Sequence, residues 1–229
     1  MRRMTGWAAV AVAVGVFAPC AAATEMPMVA GGARIRPTVL SLREQRWRNV
    51  IRQGMDVSCG TAALATILHY EYGDGVSERE LIGSILKHIK EEEVRRRGGF
   101  SLLDLKRAAQ ARHYRVEGYK LSLEQLSELG HPAVVPVTIR SFKHFVVFRG
   151  RVNDHVVLAD PAFGNTTITE RQFLKLWNGM ALVITKSKTD GFVSRLQVAS
   201  DDALIAETPN AKHFVETTLS YGSQRRDEF

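Results

Sequence analysis

A single mature cysteine, a histidine and an aspartate are spaced along this chain as a thiol nucleophile would need them. The segment Gln53-Gly54-Met55-Asp56-Val57-Ser58-Cys59-Gly60-Thr61-Ala62-Ala63-Leu64 ends a polar, extended approach at Cys59. An apolar, helix-favouring run from Ala62 to Tyr70 follows at once. A cysteine so placed sits at a helix N-terminus, where unpaired backbone N–H groups and the positive end of the helix dipole favour a thiolate. Gln53, six residues upstream, carries a side-chain amide that can fold back beside the sulfur as half of an oxyanion hole. The competing reading of Cys59 is a buried structural thiol.

A thiol nucleophile needs a base, and the base needs a group to orient it. Of seven histidines, spacing favours His144. It opens an apolar strand, Phe145 to Phe148, while Asp160 closes a second, Val156 to Ala159. A hairpin turning across Gly150 to Asp154, centred on Val152, opposes Val147 to Val157 and His144 to Asp160. Opposed residues share a sheet face, with Cβ atoms about 5 Å apart. A bulge would shift this register by one. Taken singly, His144 also reads as a satisfied core or surface histidine, and Asp160 as a turn-former before Pro161. His155 lies at the turn end of the hairpin and His69 deep in the cysteine helix, while His88, His113, His131 and His213 stand among basic or turn residues. No ligand pair for a metal emerges, and no cofactor is expected.

The elements that must position these groups form an α+β pattern, helices first and antiparallel strands after. The cysteine helix should reach about Tyr72, stopped by Gly73-Asp74-Gly75, and its apolar residues on most sides make it central. Ser77-Glu78-Arg79-Glu80 is a capping box opening a second helix, which runs out in the charged stretch Lys90 to Arg97. A third helix is expected from Ser101 to about His113, with Leu102, Leu103, Leu105, Ala108 and Ala109 inward. Ser122 and Thr169 open two further capped helices, and Ala133 to Ile139 and Ala181 to Thr185 complete the strands. Leu42 to Ile51 is a helical lead-in. The domain is therefore expected over 46–186, between an N-terminal arm at 24–45 and a C-terminal extension at 187–229 without a motif.

The 229 residues, 45% hydrophobic and 24% charged, describe a folded protein and exclude disorder. Arg2 and Arg3, an uncharged run from Gly6 to Ala18, and Ala21-Ala22-Ala23 form a secretory signal peptide with cleavage after Ala23. The protein is thus expected to be exported to the periplasm. A lipoprotein reading through Cys20 is disfavoured by Pro19. No later segment is long enough to span a bilayer, so no transmembrane anchor is expected. Removal of residues 1–23 leaves Cys59 as the one cysteine, unable to form an internal disulfide in an oxidising compartment. It also reduces the net charge from +7 to +5, a scattered excess that outlines no nucleic-acid surface.

The Gln53-to-Gly60 element, the following Ala-Ala-Leu-Ala-Thr-Ile-Leu, and His144-Phe145-Val146-Val147 with Asp160-Pro161-Ala162-Phe163-Gly164 resemble the bacteriocin-processing, or double-glycine leader, cysteine peptidases. The resemblance runs from about Arg46 to Thr185 and implies a papain-like fold. It implies Cys59 as nucleophile, His144 as base, Asp160 as its orienting partner and Gln53 as oxyanion donor. Many members carry aspartate directly before the cysteine, where this chain has Ser58. The best-known members are cytoplasmic domains of membrane ABC exporters. This chain is more similar to stand-alone exported members, some of which accompany functional-amyloid secretion. The expected activity is hydrolysis of a peptide bond in a secreted protein or leader. The alternatives are a papain-like acyltransferase, or a substrate-binding or chaperone-like accessory of a secretion or amyloid-export system. Gly31-Gly32 and Gly98-Gly99 read as linker glycines rather than autoprocessing sites, because no leader-helix spacing precedes Gly31.

Overall fold

The computed structural model describes residues 28–30, 33–35, 41–186 and 192–198. Residues 1–23, expected to be a signal peptide, Gly31-Gly32, His213 and most of the residues beyond 186 lie outside the described residues. The chain divides at Ser41 into two units. In the first, β1 (Met28–Ala30) and β2 (Ala33–Ile35) pair as an antiparallel ribbon.

The second unit holds seven helices and six strands among its described residues: α1 (Leu42–Trp47), α2 (Cys59–Tyr72), α3 (Glu78–Leu86), α4 (Glu91–Arg97), α5 (Leu102–Gln110), β3 (Arg115–Lys120), α6 (Leu123–Glu128), β4 (Ala133–Ile139), β5 (Phe142–Val152), β6 (His155–Asp160), β7 (Gly164–Thr169), α7 (Glu170–Leu176) and β8 (Met180–Thr185). The strands form one sheet in the order β3-β8-β4-β5-β6-β7, every neighbour antiparallel.

Period-two alternation sends successive side chains to opposite faces. Val134, Val147, Ala159 and Leu182 pack with α2, α3 and α5, while Val135, Val146, Leu158 and Val183 pack with α6 and α7. Both faces are covered, which explains why these strands read as near-continuous apolar runs. Helix α2 is central, as expected. Ala62, Ala63, Leu64, Ala65, Ile67 and Leu68 are all fully buried. Each of its larger aliphatic side chains stabilises the fold by about 1.5–3 kcal/mol on burial.

Capping boxes at Ser77, Ser122 and Thr169 form as expected, and Ser101 with Asp104 makes a fourth. Three expectations need correction. Leu103 does not face inward: it is half exposed on α5, one step from the buried stripe of Leu105, Ala108 and Ala109. The charged stretch is not the run-out of α3 but a separate helix, α4, with acidic residues in its first turn and basic residues in its last. Arg95–Glu91 and Arg97–Glu93 pairs at 2.7 and 2.6 Å stitch its surface. Strands β3 and β7 were not anticipated. Arg115–Lys120 buries only Val116, a charged edge strand with little apolar alternation to signal it. Gly98 closes α4 in the left-handed region, and a Cβ on Gly99 would sit 3.0 Å from the Val57 carbonyl oxygen, so both glycines have structural roles.

Candidate active site

Cys59 is the first residue of α2 and is buried, as are the first five residues that follow it. Ser58 precedes it but makes no side-chain cap. Its hydroxyl donates to the Met55 carbonyl (2.8 Å) and accepts from the Met55 N–H (3.1 Å). Ser58 therefore supplies no side-chain oxygen to the leading N–H groups of α2. Gly60 lets this end of α2 approach β5, because a Cβ there would lie 3.1 Å from both Leu105 and Phe145. Phe145 is the neighbour of His144.

His144 and Asp160 meet, though not by the expected register. Val147 opposes Ala159, not Val157, and Val157 opposes Gly150. The turn is tighter than expected, between Val152 and His155, with Asn153 at φ 53°, and the register slips by one between Phe148 and Gly150. His144 is consequently not opposite Asp160. The two share a sheet face as diagonal neighbours, a spacing that an imidazole spans. His144 Nε2–H donates to both carboxylate oxygens of Asp160, each at 3.0 Å, and both residues are buried. The other ring nitrogen, Nδ1, is not engaged by Asp160, and Cys59 lies near enough to the imidazole to favour its protonated form.

Burial pulls the pKa of His144 down, but the Asp160 charge and hydrogen bond, with a smaller contribution from Cys59, outweigh it and push it up to about 10. Asp160 is itself held by an Asx turn. Its Oδ1 accepts from the backbone N–H groups of Ala162 (2.7 Å) and Phe163 (3.1 Å). Helix α1 braces the next turn: Arg46 Nε donates to the Phe163 carbonyl at 2.7 Å, and Gly164, at φ +85°, passes so close to the Arg46 carbonyl that a Cβ would overlap it.

Gln53 is joined to this turn through its backbone, its N–H donating to the Pro161 carbonyl at 2.9 Å. Its side-chain Nε2 donates to the Met55 carbonyl at 3.1 Å, and among the described residues its buried Oε1 has no partner. The amide thus stands on the loop that leads into Cys59. Two contributors escaped the sequence reading. Phe142, two residues before His144 on the same strand face, stacks over the imidazole with ring centroids 6.4 Å apart while half exposed. Strand parity was the signal that could have found it. Glu78 of α3 reaches the Gly54 N–H from 24 positions away, for which no local signal exists.

The other histidines are elsewhere. His155 pairs with Asp154 at the turn, and His131 stands 3.9 Å from Glu71 at the far end of α2. Among the described residues no group of histidine, cysteine, aspartate and glutamate side chains is arranged for a metal ion, and no helix is long and apolar enough to cross a membrane.

A buried imidazole near a helix-start cysteine and bonded to a carboxylate, on an antiparallel sheet, is an arrangement that suits thiol nucleophilic chemistry. The model of the Peptidase C39 family matches residues 47–189, and the chain belongs to that family. It is 39% identical over 164 residues to the probable functional amyloid protease FapD of Pseudomonas aeruginosa, covering 72% of each chain. Its identity to the probable functional amyloid protease FapD of Pseudomonas fluorescens is also 39%, over 184 residues and 80% of each chain. Among solved structures, the peptidase domain of Streptococcus ComA, a bifunctional ABC transporter of a quorum-sensing pathway, aligns with a TM-score of 0.52 at 23% identity. That alignment covers 60% of this chain and 98% of the ComA domain, and shows the shared fold.

Proposed function

We propose that this cysteine peptidase works in the periplasm after signal cleavage and cuts a secreted protein or leader of a functional-amyloid export system. Cys59 is the nucleophile, His144 the acid–base, Asp160 its orienting partner and Gln53 an oxyanion donor. The observation that carries the site assignment is His144, held by both oxygens of a buried carboxylate and near enough to the helix-start Cys59 for that residue to favour its protonated form. The export reading is supported by the signal-like residues 1–23, and the substrate class by the two FapD relatives.

With His144 protonated, the Cys59 thiolate attacks the scissile carbonyl carbon and the carbonyl π electrons move to oxygen. The oxyanion is held by the Cys59 backbone N–H and by the Gln53 N–H that Met55 does not use. Collapse breaks the C–N bond as the imidazolium gives its proton to the leaving amine. The thioester is then hydrolysed by a water that surrenders its proton to neutral His144, releasing the acid and restoring the thiolate–imidazolium pair.

N-terminal profiling of exported proteins from cells carrying wild type or Cys59→Ala tests this reading. One or a few exported proteins should lose a defined cleavage in the variant. Identical profiles would sink it. Gln53→Ala should lower turnover of the substrate so found by about 10²–10³.

A further inference from the structure

We propose that Glu78 is a positioning residue for Gln53, acting through the main chain of the loop that carries the oxyanion donor; this rests on the peptidase reading above. Gln53 lies between α1 and α2 in a segment without regular secondary structure. Its amide is held through Nε2, which donates to the Met55 carbonyl at 3.1 Å, while among the described residues its buried Oε1 has no partner. Its position is set by that bond together with the peptide units on either side of its Cα. The preceding unit is fixed where the Gln53 N–H donates to the Pro161 carbonyl at 2.9 Å, which ties the loop to the Asp160 turn. The following unit is fixed where the Gly54 N–H donates to both Glu78 carboxylate oxygens, at 3.0 and 3.2 Å.

Glu78 is suited to this task by its place in α3. The start of that helix is closed by Ser77 and Glu80, which complete a capping box without it. The Glu78 carboxylate is thus left for the neighbouring loop while its backbone is held at a rigid helix N-terminus, where negative charge is favoured. Residue 54 is suited as well, because a Cβ there would stand 3.1 Å from Glu78 Oε2 and crowd the contact. A charge-assisted bond from one helix start thus aligns the donor loop that feeds the start of another.

Acylation of the full chain by N-acetylglycine p-nitrophenyl ester, followed as p-nitrophenolate release, reads oxyanion stabilisation at Cys59. Alkylation by iodoacetamide forms no oxyanion and reads the thiol alone. Glu78→Ala should slow acylation about 10-fold, part of the 10²–10³ loss expected of Gln53→Ala, with little change in ester affinity. Glu78→Gln keeps an oxygen for the Gly54 N–H and should recover most of the rate. Alkylation should be unchanged by either variant, and Glu78→Ala should add nothing in a Gln53→Ala background. Wild-type acylation in Glu78→Ala beside a slow Gln53→Ala, multiplicative losses in the double variant, or a parallel fall in alkylation would each overturn the positioning role alone. Unchanged acylation in Gln53→Ala would overturn both this role and the oxyanion assignment beneath it.

Discussion

The β5–β6 hairpin carries a histidine–aspartate pair at each end, and only one of them lies at the candidate active site. At the turn, His155 Nδ1 approaches Asp154 Oδ1 at 2.7 Å, with the aspartate side chain 78% exposed. At the other end His144 Nε2 lies 3.0 Å from Asp160, with side-chain exposures of 5% and 0%. The shorter contact is the weaker interaction. An exposed pair contributes about 0–1 kcal/mol because water and salt screen it. A buried pair costs desolvation, and breaking it by removing one partner costs about 3–5 kcal/mol. The buried pair is retained here with supporting groups around it: the Asx turn on the carboxylate, Cys59 near the imidazole, and Phe142 across the ring. Residue type and distance alone do not distinguish the two ends. Burial and orientation do.

The largest expected effect comes from removing the imidazole at the buried end. His144→Ala should lower turnover of a peptide substrate about 10⁴-fold or more. Cys59 alkylation by iodoacetamide at pH 6–7 should fall about 10–100-fold with it, because the imidazolium no longer favours the thiolate. His155→Ala should change neither by more than about twofold. Comparable losses in the two variants would erase the distinction between the ends.

Asp160→Asn should act next, at about 10²–10⁴ in turnover, since the ring keeps a neighbour but loses the charge that sets its tautomer and protonation. The same variant sharpens the comparison through pH. Because the folded-state pKa of His144 lies above its ordinary 6.5, the native chain holds that proton more tightly than the unfolded chain. The stabilisation is complete below pH 6.5 and is lost as pH rises to about 10. In a Cys59→Ala background, where the thiol does not titrate, the urea midpoint should fall across this window. Asp160→Asn should flatten that fall, whereas Asp154→Asn should leave it as it is. A fall of equal size in the Asp160→Asn protein would mean that another group drives it.

The contrast also explains what was legible in the sequence. Cys59, His144, Asp160 and Gln53 were all named from residue type, spacing and resemblance, and α2 was bounded from its apolar run and Gly73. The hairpin register was not. It depends on a bulge beside Arg149 and a turn that Asn153 permits, neither of which the alternation of apolar residues encodes. The face shared by His144 and Asp160 came out right because a slip of two residues preserves strand parity. Strands β3 and β7 stayed hidden since their pairing is specified by partners, Ile184 for Val116 and Val156 for Ile168, and hardly by their own composition. The segment 192–198, within the extension that carries no motif, is tied down by long-range bonds: Arg195 N–H to the Tyr70 carbonyl (2.9 Å), Arg149 Nε to the Leu196 carbonyl (3.1 Å), with Leu196 buried in the α2 side of the core.

The smallest effect belongs to the exposed pair, and it is the most discriminating control. A double-mutant cycle of Asp154→Ala and His155→Ala should give a coupling energy of about 0.5 kcal/mol or less at neutral pH and moderate salt. That coupling should shrink further as ionic strength rises, because the Debye length falls from about 10 Å at 0.1 M to about 3 Å at 1 M. Asp154 also has a main-chain role, its carbonyl accepting from the Glu170 N–H at 2.9 Å, and substitution to alanine preserves that bond. The cycle therefore isolates the side chains. A coupling above about 2 kcal/mol that resisted salt would place the turn pair in the same class as His144 and Asp160. Burial would then no longer be the property that separates a structural ion pair from the buried pair of the candidate active site.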